Sequence, residues 1–301
     1  MMRTYEGKSI YILPQSFIEQ IALLEKSIVI PEKIETKYVK SSSDVKVTNK
    51  CVEKLWIKER TDPVQFKVTV IDVKEGIEKD INDIRKALNM ISKKNFDTQK
   101  EIVLKFVRDF IDDNDSLVKI SVFIFDIASS NMFYGEIYAD LYVHFIQESK
   151  IFREILLQNL SSFKKNIEEI KHVDSNKDYD GYCNYVKEND KRRSIASFYM
   201  LLANKFVVDV AEIVDIVNYL QTRLSEFVCF DGKTVECEDI TELLYILITV
   251  GKENKHLTNH TEWLNIIGNV SVMSKNKSGS YRSLSSRVIF KHLDIIDFML
   301  K

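Results

Sequence analysis

Proline is nearly absent. The chain of 301 residues holds three, Pro14, Pro31 and Pro63, and residues 64–301 hold none. A proline inside a helix removes a backbone donor and clashes with the preceding turn, so that long stretch is free to run as helix after helix. Cysteine is scarce as well. Cys51, Cys183, Cys229 and Cys237 include no CxxC pair, which points to free thiols in a reducing compartment and not to a disulfide framework. An excess of one charge is also missing, since 43 Lys and Arg face 45 Asp and Glu for a formal net charge of −2. That balance excludes nucleic-acid binding through global charge and leaves only local contacts. No apolar run approaches the ~20 residues that span a bilayer. Met1–Leu24 lacks the apolar core and small-residue cleavage site of a secretory signal. A cytoplasmic protein without membrane contact is expected.

Signatures of catalysis are missing too. No GxGxxG or GxSxG occurs, and Gly251-Lys252 lacks the preceding glycines of a phosphate loop. His256 and His260 stand four residues apart, but no Glu lies between them as in HExxH, and Cys229 and Cys237 are not spaced as a ligand pair. Surface histidines are therefore expected, not a metal site. The adjacent carboxylates Glu168-Glu169 and Asp112-Asp113 face different directions on a helix, which suits solvated faces and not acid–base work. The expectation is a protein that is not an enzyme, with no cofactor and no metal.

What is present is apolar periodicity. Hydrophobic residues make up 45% of the chain, enough for a substantial core. Residues 1–77 hold all the prolines and the polar run Ser41–Asp44, and read as an extended arm with one short helix near Phe17–Leu24. Val64–Val70 alternates as a strand or an extended segment does. From Glu78 the pattern turns helical and stays so. Ile81, Ile84, Leu88 and Ile91 fall on one stripe, and Ile102, Val103, Phe106, Val107 and Phe110 make a second. Leu117–Ala128 is apolar nearly all round, as a helix packed on both sides is. Further stripes follow in Tyr134–Ile146, Ile151–Ile170, Ile195–Leu202, Val207–Leu224 and Leu243–Val250. The polar segment His172–Asp190 breaks the series, and Asp231-Gly232 after an apolar run signals a small β-hairpin or a plain loop over 227–236. Gly251 just past an apolar run fits a helix C-cap. Helix, turn and returning helix, repeated over this length, give an all-α solenoid of about five antiparallel HEAT-like pairs.

Several phrases carry more than periodicity. Arg85, Leu88-Asn89, Ile91 and Phe96 stand where the middle domain of eukaryotic translation initiation factor 4G carries a basic residue, Ile/Leu-Leu-Asn-x-Leu and a following Phe. Leu247–Lys252 resembles that family's helix ending, and Lys191–Ser194 its Arg-Arg-Ser step. Ser285, Ser286, Arg287, Phe290, Asp294 and Asp297 match the family's closing phrase position for position. The resemblance covers residues 78–301 in order, and Asn49–Trp56 is similar to the segment preceding the family's first repeat, with Trp56 as a packing anchor or a stacking residue.

The resemblance implies a translation-initiation scaffold that binds a DEAD-box RNA helicase of factor 4A type and biases it towards its closed form. Carried over, the first helicase contact is Leu88, Ile91 and Phe96, of which Leu88 and Ile91 also lie on the core stripe. The second lies near Arg287. Tyr5, Ile10 and Tyr11 approximate the peptide that grips a cap-binding protein as a short helix, although Gly7 weakens helix there. The alternative for that stretch is a tail. Contact with mRNA would fall on Lys93, Lys94, Lys164, Lys165, Lys191, Arg192 and Arg193, and on Lys275–Arg287 with Tyr281, unless these charges only solubilise helix faces. The competing readings are a superfamily relative in mRNA decay, splicing or poly(A)-binding-protein interaction, and a plain solenoid adaptor between proteins.

Overall fold

The computed structural model describes residues 75–300 and, in the preceding part of the chain, two strands. The chain divides into two compact units, Met1–Asp72 and Val73–Lys301. In the first, β1 (Met2–Tyr5) and β2 (Lys8–Tyr11) pair antiparallel, Met2 opposite Tyr11 and Tyr5 opposite Lys8. Tyr5, Ile10 and Tyr11 therefore sit in paired strands and not in a short helix, in keeping with the strand preference of Thr, Tyr and Ile. The Phe17–Leu24, Ser41–Asp44, Asn49–Trp56 and Val64–Val70 stretches lie outside the described residues.

The second unit is all-α. In chain order it runs α1 (Ile77–Asn89), α2 (Phe96–Asp109), α3 (Asn114–Ser130), α4 (Gly135–Glu148), α5 (Lys150–Glu168), α6 (Tyr179–Asn204), α7 (Val210–Phe227), α8 (Thr234–Val250), the single-turn α9 (Lys255–Thr258), α10 (Trp263–Ser274) and α11 (Ser286–Leu300). Apart from α9 these form five pairs, each packed on itself. The second members stack in a row, α2 on α4, α4 on α6, α6 on α8 and α8 on α11. The first members stack likewise, α1 on α3, α3 on α5 and α7 on α10. Lys164 of α5 joins Glu212 of α7 at 2.5 Å where the first-member row crosses from the third pair to the fourth. The result is a solenoid-like array of five helix pairs.

Sequence accounts for the joints and the core. Asp113, Asp178 and Asp209 each precede a helix and accept a backbone N–H of its first turn, at 3.2, 2.8 and 3.0 Å. The largely apolar α3 contacts α1, α4, α5 and α6 and, between its ends, exposes only the narrow strip of Lys119, Val122 and Asp126. At its centre Phe125, Tyr142, Phe152, Phe198 and Tyr199 meet mostly edge to face, with ring centroids 5.6–6.4 Å apart. The Tyr142 hydroxyl donates to the Phe152 carbonyl at 2.9 Å, which satisfies the one polar atom this ring brings into the core.

Two expectations are corrected, and a third, the Gly251 cap, holds for a different reason. The polar segment His172–Asp190 is not a break, since α6 begins at Tyr179 and runs through its second half. The helix holds because Asp178 caps it and because Tyr185 and Asn189 turn inward to bond Asp239 of α8. Residues 227–236 form no hairpin. The apolar run there ends α7, and the Cys229 and Phe230 amides bond back to the Glu226 and Phe227 carbonyls as a helical end does. Gly232, at φ +74, turns the chain into α8. Gly251 does cap α8, but at φ −83, an ordinary right-handed value. What calls for glycine there is space. A Cβ would meet Leu257 Cδ2 at 2.6 Å and the Leu247 carbonyl oxygen at 2.9 Å.

Candidate protein-binding surface

The turn between α1 and α2 is held from inside. Leu88 and Ile91 are 1% and 4% exposed, so both belong to the core, and a partner reaches neither in the folded turn. The Tyr138 hydroxyl of α4 donates to the Leu88 carbonyl at 3.1 Å. Asn95 ties the turn across its mouth, its Oδ1 accepting from the Ser92 amide at 2.7 Å and its Nδ2 donating to the Met90 carbonyl at 2.9 Å. Phe96 opens α2 half-buried, its ring 6.3 Å from that of His144 and with Lys100 Nζ 5.4 Å above it. Met90, Lys93 and Lys94 are the side chains this turn shows to solvent.

Beside it lies the turn from α3 to α4. Asn131 Oδ1 accepts from the Tyr134 amide at 3.2 Å, which bends Asn131–Tyr134 outward. Phe133 at the tip is 87% exposed, with Met132 and Tyr134 also exposed beside it. Its ring stands edge-on to that of Tyr134 at 4.9 Å. α4 starts against α6 so closely that a Cβ on Gly135 would meet Leu201 Cδ1 at 2.9 Å, and this draws the turn over the C-terminal half of α6. Between the two turns and the ends of α6 and α8 opens a groove of about 730 Å³, lined among others by Lys93, Phe133, Tyr134, Leu201, Asn204 and Val250.

Asn204 and Glu253 also line a neighbouring hollow that leads to Phe206. Phe206 has φ +60, the left-handed region, and is the only non-glycine residue in it among the described residues. Its amide and that of Val207 bond back to the Ala203 and Leu202 carbonyls at 3.1 and 2.9 Å, a helix end that glycine ordinarily serves. An aromatic ring is kept here, 71% exposed and edge-on to His256 at 5.1 Å. Asn254 and Asn204 sew this edge together, Asn254 Nδ2 donating to the Ala203 carbonyl at 3.2 Å and Asn204 Nδ2 to the Val250 carbonyl at 3.0 Å. The surface therefore presents exposed Met90, Met132, Phe133 and Phe206 on rigidly bonded turns. Sequence reasoning missed Phe133 and Phe206, because a lone aromatic in a loop carries no period to mark it.

The other anticipated positions lie elsewhere. Arg287 is exposed at the start of α11, its guanidinium reaching Glu238 at 3.3 Å and Glu242 at 3.4 Å on α8. The basic residues are not gathered. Lys93 and Lys94 sit in the first turn, Lys164 and Lys165 on α5, and Lys191, Arg192 and Arg193 within α6. Lys164 is taken by Glu212, while Arg193 binds Asp190 and Asp239, each at 3.2 Å. Arg192 is half-buried and donates to Asn189, and burial pulls its guanidinium below the usual range. Lys94, Lys165 and Lys191 are exposed. His256 sits on α9 beside Phe206, and His260 Nδ1 accepts from the Glu262 amide at 3.3 Å. Among the described residues no three His, Cys, Asp or Glu side chains are placed to hold a metal, and no helix is long and apolar enough to cross a membrane. Cys183, Cys229 and Cys237 are free thiols.

No model of a known protein family matches this chain, and no curated protein sequence matches it.

Proposed function

We propose that the chain is a translation-initiation scaffold of the factor 4G middle-domain type, and that it binds a factor 4A-type DEAD-box helicase through the surface just described. The observation that carries this reading is the first-pair turn. It is the element in which the family's helicase contact is expected, and here it is cross-braced by Asn95 and Tyr138 and forms one wall of an open groove. Five packed helix pairs and the phrases around Leu88-Asn89 and Ser285–Asp297 are consistent with it.

The roles of the carried-over residues shift. Leu88 and Ile91 shape the turn from within, Phe96 supports it, and the contact passes to Met90, Lys93 and Phe133. Arg287, braced by Glu238 and Glu242, marks the opposite end of the array, where a second lobe of the helicase would be held. Two-point holding favours the closed helicase only if that form is bound more tightly than the open one. Recruitment of a cap-binding protein by Tyr5, Ile10 and Tyr11 would require the paired strands to separate first. Contact with mRNA would rest on Lys93, Lys94, Lys165 and Lys191, since Lys164 and Arg193 are already ion-paired.

The test is stimulation of a factor 4A-type helicase ATPase by the whole chain, with Phe133→Asp beside it. Phe133 is almost fully exposed, so the substitution leaves the fold intact, as circular dichroism will check. Stimulation by the wild type that drops about tenfold in Phe133→Asp, a difference of about 1.4 kcal/mol, supports the reading. No stimulation by the wild type refutes it and leaves a plain solenoid adaptor.

A further inference from the structure

A second cavity lies between the fourth and fifth helix pairs, with a volume of about 480 Å³, within the range of small-molecule sites. Its walls come from α7, α10 and the start of the loop after α10, with His292 of α11 at its edge. No Lys, Arg, Asp or Glu lines it, which is unusual in a chain so rich in charge. Instead it is lined by amides, hydroxyls, one thiol and one imidazole, alongside apolar Leu224, Val228 and Met273.

The hydrogen bonds orient three of the four amides, Gln221, Asn269 and Asn276, and leave the side chain of Asn218 without a partner among the described residues. Gln221 Nε2 donates to the Ile266 carbonyl at 2.9 Å, and Asn269 Nδ2 donates to Gln221 Oε1 at 3.0 Å. Asn276 Nδ2 points back to the Val272 carbonyl at 3.3 Å. A backbone carbonyl only accepts, so the nitrogen ends are fixed and the oxygens of Asn269 and Asn276 are left without partners among the described residues. His292 behaves alike. Its ring is 2% exposed, and Nδ1 lies 2.8 Å from the Val288 carbonyl, which places the proton on Nδ1 and leaves Nε2 an unpartnered acceptor. Burial holds this imidazole below its ordinary pKa range, the Val288 bond pulling the other way, so it stays neutral. The cavity is thus uncharged and flanked by apolar side chains, and it sets the unpartnered acceptors of Asn269, Asn276 and His292 beside the unpartnered Asn218 amide and the Tyr281 hydroxyl.

We propose that this cavity binds a purine base, guanine best. A neutral planar heterocycle avoids the desolvation cost of a charge, slots between Leu224, Val228 and Met273, and offers ring and amino N–H donors to the oxygens of Asn269 and Asn276 and to His292 Nε2. Uracil brings a single ring N–H to these acceptors, whereas guanine brings its ring N–H and its amino group and still presents O6 and N7 to the Asn218 amide. The base can arrive as a free nucleoside or on single-stranded RNA, and the chemistry is the same.

The whole chain would be titrated calorimetrically with guanosine, adenosine and uridine, and with an oligouridylate carrying one guanine. Two variants accompany it. Asn218→Leu places an apolar group in the wall, and Val272→Trp fills the cavity from an exposed position, with folding followed by circular dichroism. Guanosine is expected to bind one to one, about tenfold tighter than uridine, and about tenfold weaker in each folded variant. An oligonucleotide that binds more than about tenfold tighter than guanosine, with the same sensitivity to the variants, identifies RNA as the source of the base. Equal affinities identify the free nucleoside. Failure of guanosine to saturate below about 1 mM, or guanosine binding unchanged in both variants, overturns the proposal.

Discussion

Asp239 joins two of the longest helices of the array, and removing it provides a direct test of the packing described here. It stands in the first half of α8, its side chain 11% exposed, facing the N-terminal half of α6. One carboxylate oxygen accepts from Asn189 Nδ2 at 2.8 Å and from the Tyr185 hydroxyl, and the other from Arg193 at 3.2 Å. Burial first, and the Asp239 bond second, push the Tyr185 hydroxyl up so that it remains a donor. In Asp239→Ala, Asn189 loses its acceptor while buried, which costs about 1–3 kcal/mol, and the charge-assisted bond to Arg193 is lost as well. Arg193 keeps Asp190 at 3.2 Å, so it is not stranded and the two losses do not simply add. A net loss of about 3 kcal/mol follows, roughly 6–12 °C in melting temperature for a unit of this size. Asp239→Asn keeps the shape and one acceptor oxygen, and is expected to lose about half as much. Thermal and urea unfolding measure both. A loss below about 1 kcal/mol in Asp239→Ala would show that the α6–α8 contact does not depend on these bonds, and the account of why polar residues 179–193 are helical would fall with it.

Other consequences can be checked on the same protein. Gly251→Ala forces a Cβ against the Leu247 backbone oxygen and should cost about 1–3 kcal/mol, whereas the Cβ of Gly135→Ala meets only the tip of Leu201, which can rotate away, and should cost under 1; equal losses in urea unfolding would contradict this. At Phe206, with φ +60, the Gly variant should be more stable than the Ala variant by about 1 kcal/mol, and an Ala variant at least as stable would argue against the left-handed helix end. His292 has a folded pKa below its ordinary 6.5, so the unfolded chain takes up the proton first and acid destabilises the fold. Its contribution is intact above pH 6.5 and is lost as pH falls below it, with a slope of at most about 1.4 kcal/mol per pH unit. Unfolding followed against pH should show that slope reduced in His292→Gln, and identical slopes would refute it.

Much of the array was legible because a solenoid is built from local signals. A helix packed on one side shows a narrow stripe, as Ile84 and Leu88 do, and a helix with several neighbours shows a broad apolar face, as in Leu117–Ala128, and both patterns survive in a single sequence. What misled was polarity taken as a proxy for a loop. Tyr185 and Asn189 are polar because they bond Asp239 some 50 residues later, and no local window contains that partner. The same confusion touched Arg193, which looked like part of a basic face and is half of a bond that closes the α6–α8 contact.

The candidate surface was the least legible part, for a reason that follows from the same physics. Burial imposes period, so the residues a sequence marks most clearly, Leu88 and Ile91, are the ones the fold hides. Exposure imposes nothing, and a partner-facing residue stands out only where keeping it works against the local backbone. Phe206 stands out in this way. A phenylalanine at φ +60 costs about 1 kcal/mol where glycine would cost none, and burial of a ring that is 71% exposed returns little of it. Phe133 carries no backbone penalty, but an aromatic ring almost wholly in water at the tip of a turn braced by Asn131 is likewise not explained by the stability of this chain alone. That both lie on hollows joined through Asn204 and Glu253, next to the turn in which the resemblance puts the helicase contact, is the strongest reason to look for a partner on this edge and not on the charged faces.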